Sequence, residues 1–420
     1  MAGATRLRWE APIRSRLEPR RAAAAGALVL GLTLAAPWVG AEEPGALNLP
    51  GNPLEGRLLF EGKGCSQCHG IGGSGAGIAP ELGEGRFAGS FLDLGAELWN
   101  HVPGMSVSFA AAGVPWPELS ADEATQLMAF LYFIDYLGRP GSAPAGQVVF
   151  AAKGCAACHG ADGSGRAPGP DLAELESFAS PLDVGQRIWN HGPSMLESMR
   201  EAGIPIPTFA PGELADLSAF LRRRAAPGPR QRMLLAPGDP NSGRVLFDAK
   251  GCSSCHGAHA AGGRSGPDLR DSDLHRSAET IAGTMWNHAL AMNATMQERG
   301  IPWPSFSTAE LADVVAFLYF LPFTDAAGDA RRGAETFAER GCSDCHSGGR
   351  SAQPPAPDLS ASEASASPAA LVAAMWSHAP IMKEEILANG LPWPELRGDD
   401  LRNLLAFLQA GVAGAQNAPH

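Results

Sequence analysis

Apolar residues fall at helical spacing in short blocks, and the blocks return in the same order four times along the 420 residues. Ala124, Leu127, Met128 and Leu131 share one helix face, behind a start signal made by Ser120, Asp122 and Glu123. Residues Phe91 to Trp99 read as a helix approaching a tryptophan, and about Pro53 to Gly62 as an opening helix. Between them, Gly70 to Pro80 is rich in glycine and proline and offers little for a helix. The pattern predicts an all-α fold built from small helical units.

Self-similarity at a fixed period sets the number of units. The motif Cys65-Ser66-Gln67-Cys68-His69 recurs as Cys155-x-x-Cys158-His159, Cys252-x-x-Cys255-His256 and Cys342-x-x-Cys345-His346, with steps of 90, 97 and 90 residues. Upstream stand Gly56 and Phe60, then Gly146 and Phe150, Gly243 and Phe247, Gly333 and Phe337. Downstream of the histidines come Pro80, Pro170, Pro267 and Pro357; Trp99, Trp189, Trp286 and Trp376; Met105, Met195, Met292 and Met382; and Phe130, Phe220, Phe317 and Phe407. All length variation falls in the connectors. The expected domains are residues 50–138, 140–225, 237–324 and 328–412. In each, the Gly-x-x-x-Phe of the first helix should cross close to the phenylalanine of the last. Short connectors after units one and three, and a longer middle one, suggest two pairs. The middle connector holds Arg222, Arg223, Arg224, Arg230 and Arg232 with Pro227 and Pro229, and reads as a solvated linker.

The four motifs use all eight cysteines. C-x-x-C-H is the attachment run of haem c: two thiols on one helical turn each form a thioether to a vinyl group, and the adjacent histidine sits under the iron. Zinc ribbons need two such pairs, or a pair and distant histidines, per ion. A redox-active C-x-x-C needs a βαβ context, which is absent. A disulfide scaffold gives no reason for a histidine after every second cysteine. The expectation is four haem c groups, one per unit. A helical unit of roughly 85 residues holds a thin core on its own, so each should require its haem to fold.

The sixth iron position has two candidates in every unit. Met105, Met195, Met292 and Met382 are favoured, because methionine is a usual partner of histidine in small carriers. His101, His191, His288 and His378, four residues earlier, would give bis-histidine ligation instead. A third reading makes the methionines and tryptophans plain core residues, since positions four apart share a helix face. The proline eleven residues after the proximal histidine can accept its Nδ1–H and fix the ring. The tryptophan reads as a propionate donor or a wall at the haem edge. A Gly-x-Pro-x-Pro run follows each methionine, from Gly113, Gly203, Gly300 and Gly390, and should stiffen the distal loop. The second unit has Ile206 where the others have Trp116, Trp303 and Trp393, so the second haem is expected to differ.

Composition adds an address and a charge. Residues 1–41 hold six arginines, an apolar run from Ala22 to Ala36 and a small-residue stretch ending at Ala41, which reads as an export signal cleaved before Glu42. An uncleaved membrane anchor is the alternative. The remaining chain carries 26 basic and 42 acidic side chains, a net charge of −16. Nucleic acid is excluded on that balance, and a redox partner with a basic docking face is expected.

Taken together the units resemble class I cytochrome c domains, similar to the small cytochrome domains of haem–copper oxidase subunits. The resemblance rests on the Gly-x-x-x-Phe helix, C-x-x-C-H, the Pro-Asp-Leu-like turn, the distal methionine and the closing Ala-Phe-Leu helix, over residues 50–412. With the export signal and the four motifs, it implies a periplasmic tetrahaem electron carrier with no catalytic residues. The rivals are a haem enzyme with one open site, and a cytochrome subunit of a larger membrane complex.

Overall fold

The computed structural model describes residues 53–71, 78–82, 87, 89–172, 180–223, 238–270, 277–346, 356–359 and 362–411. The export signal read in residues 1–41 lies outside them, as do Arg224, Pro227, Pro229, Arg230 and Arg232 of the middle connector. Among the described residues every named element is helical, and no helix is long and apolar enough to cross a membrane.

One helical plan repeats four times. The opening helices are Pro53–Gly62, Ala143–Ala152, Pro240–Ala249 and Ala330–Glu339. The closing helices are Ala121–Phe133, Glu213–Arg222, Thr308–Phe320 and Gly398–Ala410. Ser120 begins the first of these with a reciprocal cap, its side chain accepting from the Glu123 amide while the Glu123 carboxylate accepts from its own amide. Opening and closing helices cross where the glycine stands. A Cβ on Gly56 would run into the carbonyl of Gln126 and the Cβ of Phe130, and Gly146, Gly243 and Gly333 meet the same obstacle. That contact seats Phe60 against Phe130 at 5.7 Å, with 5.3–5.4 Å for the other three pairs.

The middle helix is longer than the sequence pattern implies. It does not end at the tryptophan but carries tryptophan, histidine and methionine together: Phe91–Ala112, Pro181–Glu201 and Pro368–Ala388. In the third unit it divides into Ala278–Asn287 and Ala289–Glu298. Three of these helices contain a proline four residues after the tryptophan: Pro103, Pro193 and Pro380. Proline has no N–H to give the carbonyl four residues back, so it leaves the tryptophan carbonyl open to another donor.

That carbonyl is used by a different unit. Trp116 Nε1 donates to Trp376 O at 2.9 Å, and Trp303 Nε1 donates to Trp189 O at 3.0 Å. The helix tryptophans return the contact: Trp99 Nε1 donates to Pro394 O, Trp376 to Pro117 O, Trp189 to Pro304 O and Trp286 to Pro207 O, all at 2.7–2.8 Å. The adjacent asparagines clamp the same loops, with Asn100 bonded to both backbone groups of Leu396, Asn190 to those of Phe306 and Asn287 to those of Phe209. The first unit therefore docks on the fourth, and the second on the third, each through a self-complementary contact. The connector lengths suggested two pairs, but the pairs do not follow the short connectors.

A third contact joins the pairs. All three tyrosines of the chain, Tyr132, Tyr136 and Tyr319, gather with Phe320 and Phe323 between the first and third units. Tyr319 donates its hydroxyl to Tyr132 O at 2.7 Å, and its ring stands 5.3 Å from that of Tyr132. The second and fourth units have Arg222 and Gln409 at this position. Neighbours in space thus run fourth, first, third, second.

Candidate cofactor site

Each C-x-x-C-H run forms one tight helical turn: Cys65–Gln67, Cys155–His159, Ser253–His256 and Ser343–His346. The turn sets the two cysteines three residues apart on one face. None of the eight is in a disulfide. Burial pushes the thiols of Cys65, Cys155, Cys252 and Cys342 up to about 11. Among the described residues no three His, Cys, Asp or Glu side chains converge as metal ligands.

The histidines of the four C-x-x-C-H runs are held alike. Nδ1 of His69, His159, His256 and His346 stands 3.0, 3.1, 3.2 and 3.1 Å from the carbonyls of Pro80, Pro170, Pro267 and Pro357. A carbonyl can only accept, so Nδ1 carries the proton and Nε2 keeps its lone pair. An imidazole fixed in that tautomer is what a metal ligand requires.

The histidines on the long helices show the same tautomer. Nδ1 of His101, His191, His288 and His378 bonds the carbonyl four residues back, at 2.6–2.9 Å, and these side chains are exposed. Met105, Met195, Met292 and Met382 are half-buried against the apolar cores. In the second unit a cavity of about 370 Å³ brings the chemistry together. Cys155, Cys158 and His159 line it, as do Met195 and His191, with Phe150, Leu172 and Leu221 among its apolar walls. Its size and apolar lining suit a flat organic cofactor. The donor set fits haem c: two thiols, one oriented imidazole and a soft sixth ligand.

The cytochrome c family model matches residues 143–224 and 241–321. These two stretches are cytochrome c-like, and haem-based electron transfer is the chemistry of such domains. No curated protein and no solved structure matches the chain.

The expectation that the helix tryptophans donate to a propionate is corrected. An indole has one N–H, and all four are spent on a proline carbonyl of the paired unit. The lysine two residues before the first cysteine was overlooked. Lys63, Lys153 and Lys250 each donate to a carbonyl 55 residues on, Glu118, Thr208 and Ser305, and pair with Glu123, Glu213 and Glu310. They pin the C-x-x-C-H turn to the loop after the long helix and to the start of the closing helix. Their recurrence in register, with Arg340 on Asp400 in the fourth unit, was the available signal.

Proposed function

We propose that this chain is a periplasmic tetrahaem c-type cytochrome that transfers single electrons between redox partners. Cys65 and Cys68, Cys155 and Cys158, Cys252 and Cys255, and Cys342 and Cys345 hold the four haems through thioethers. His69, His159, His256 and His346 are the proximal ligands, and Met105, Met195, Met292 and Met382 the distal ones. Each haem, when bound, supplies a one-electron ferric–ferrous couple. The observation that carries the reading is the fourfold imidazole–proline contact of 3.0–3.2 Å next to each cysteine pair. The protein orients the ring, excludes water with its apolar wall and leaves the chemistry to the iron. Residues 1–41 direct export, and the acidic remainder steers partners with a basic face.

The test combines haem stoichiometry, the long-wavelength ferric spectrum and carbon monoxide. Four haems per chain, a methionine–iron charge-transfer band scaled to four, and no carbon monoxide binding to the reduced protein are expected. Carbon monoxide binding at neutral pH would replace the carrier by a haem enzyme with an open site. Absence of the band, still without carbon monoxide binding, would favour the second reading, bis-histidine ligation. That reading has its own support: Nδ1 of His101, His191, His288 and His378 is already tied to a carbonyl, which leaves Nε2 available as a donor.

A further inference from the structure

We propose that Trp286, on the long helix of the third unit, is a wall of the second unit's haem pocket, so that this pocket is completed only by docking of the third unit. The inference rests on the haem reading above and concerns the residues around one of the four sites. Every other residue lining the 370 Å³ cavity lies between Phe150 and Leu221, within the second unit; Trp286 alone comes from outside it. Its indole is held there by a donor contact of 2.8 Å to Pro207 O, and Pro207 itself lines the cavity.

Two residues smaller than their counterparts in the other units make room for the ring. Position 206 is isoleucine where the other units place an indole over the facing tryptophan: Trp393 over Trp99, Trp116 over Trp376 and Trp303 over Trp189. Among the described residues Trp286 has no indole stacked on it. Position 192 is glycine where the other units have Val102, Ala289 and Ala379. A Cβ at Gly192 would stand 3.2 Å from Cζ3 of Trp286, a tight contact that the ring would have to give way to by a few tenths of an ångström. Gly192 follows His191 directly, and His191 lines the cavity. The ring of Trp286 therefore lies against the part of the helix that faces the cofactor, in the space that a side chain and a second indole would otherwise take. It is 4 % exposed. It serves the second pocket as a flat apolar wall, a specificity-determining element for the potential of that haem alone.

The experiment uses the full-length holoprotein. Haem mass on the peptide holding Cys155 and Cys158 of the unsubstituted protein tests the underlying reading first; a bare peptide overturns that reading before any variant is made. Redox titration and the hyperfine-shifted haem methyl signals are then compared for Trp286→Ala, Trp286→Phe and Asn190→Ala. Removing the wall admits water, which favours the charged ferric form. Trp286→Ala should change the one-electron equilibrium constant of one centre about tenfold, ~59 mV to lower potential, and move the methyl signals of that haem only. Trp286→Phe, which keeps a flat ring but no N–H, should restore most of the shift. Asn190→Ala removes one clamp of the same pair, between residues that do not line the cavity, while Trp286 keeps its own bond to Pro207 and stays in place, so all four potentials should be unchanged. Four unmoved centres in Trp286→Ala would overturn the proposal, and so would an equal shift in Asn190→Ala. If Trp286→Ala does not fold, Trp286→Leu, which keeps bulk without the flat ring, gives the same comparison.

Discussion

Where the first and fourth units meet, two indole pairs stack, Trp99 on Trp393 and Trp116 on Trp376, each at 4.2 Å. Where the second and third meet, among the described residues one does, Trp189 on Trp303 at 4.4 Å. The missing half is missing in two places at once. Ile206 stands for the loop tryptophan, and Leu290 stands for the helix proline that elsewhere frees the carbonyl the indole would bond. A donor without an acceptor costs about 1–3 kcal/mol when buried, so losing both together is cheaper than losing either. In the first–fourth pair Trp393 stacks on Trp99 beside Pro103, yet its buried Nε1 finds no partner, so the loop-indole bond forms at Trp116 and Trp303 but not there. The docking device is thus modular, and its parts are coupled.

The largest effect expected from this comparison is a difference between two alanine substitutions. Trp376→Ala removes a buried ring, its stack with Trp116 and its bond to Pro117. The cost should be about 3–5 kcal/mol, as for large core aromatics. Trp286→Ala removes an equally buried ring with the matching bond to Pro207 but no stack. It should cost less by ~1 kcal/mol, the worth of an aromatic pair beyond its area. Thermal unfolding of the two holo variants measures this, and equal losses would break the comparison.

The pairs also differ in how they bury a carboxylate. At the second–third contact Glu279 accepts from the Gly212 amide at 2.8 Å, Ser277 Oγ at 3.1 Å and Thr280 Oγ1 at 3.0 Å. Beside the first–fourth contact, Asp325 accepts from the Leu92 amide at 3.2 Å, and the nearest cation, Arg402, is 4.0 Å away. Burial raises the Asp325 carboxyl from 3.8 to about 6, against the weaker pull of its bonds to Ser90 and Leu92 and of Arg402. A raised folded value means the folded state holds the proton more tightly. The stabilisation is full below about pH 4 and is lost as pH rises through about 6. Asp325→Asn should remove that slope and raise the stability at pH 8 by up to roughly 3 kcal/mol, from about 1.4 kcal/mol per unit of the shift from 3.8 to about 6, which thermal unfolding reads as a higher melting temperature. A flat wild-type profile between pH 4 and 7 would count against it.

Much of the single unit was legible. The opening helix has the residues the sequence assigned it, Pro53–Gly62, because its glycine, phenylalanine and the loop beyond it punctuate it. Ser120 and Glu123 gave the closing helix its start, and the spacing of glycine and phenylalanine gave the crossing. The proline carbonyl on the C-x-x-C-H histidine followed from the recurring spacing together with the haem reading. The assembly was not legible in the same way. Recurrence in all four units made the tryptophans look like cofactor residues, but every unit also docks, and recurrence cannot separate the two. The information lay in the departures. Tyr132 and Tyr319 occur only in the units that meet at the centre, and Ile206 and Leu290 mark the half-contact. Connector length constrains which units can pair only weakly, since longer loops cost little.

The smallest effect tests the coupling itself. Ile206→Trp adds an indole opposite Trp286 while Leu290, unlike the prolines of the other units, still carries an N–H that competes for the Trp286 carbonyl. Leu290→Pro removes that N–H and leaves the carbonyl without a donor. Each change alone should destabilise the second–third pair. Together they reconstruct the arrangement seen at Trp303 and Trp189, where the bond is 3.0 Å, and the double variant should be more stable than the sum of the singles by about 1 kcal/mol, the net worth of one hydrogen bond. Gly192 limits the gain, because Trp286 already occupies the space above it. A double-mutant cycle on urea unfolding reads the coupling directly. Strict additivity would mean that proline and tryptophan occur together in the other units for separate reasons.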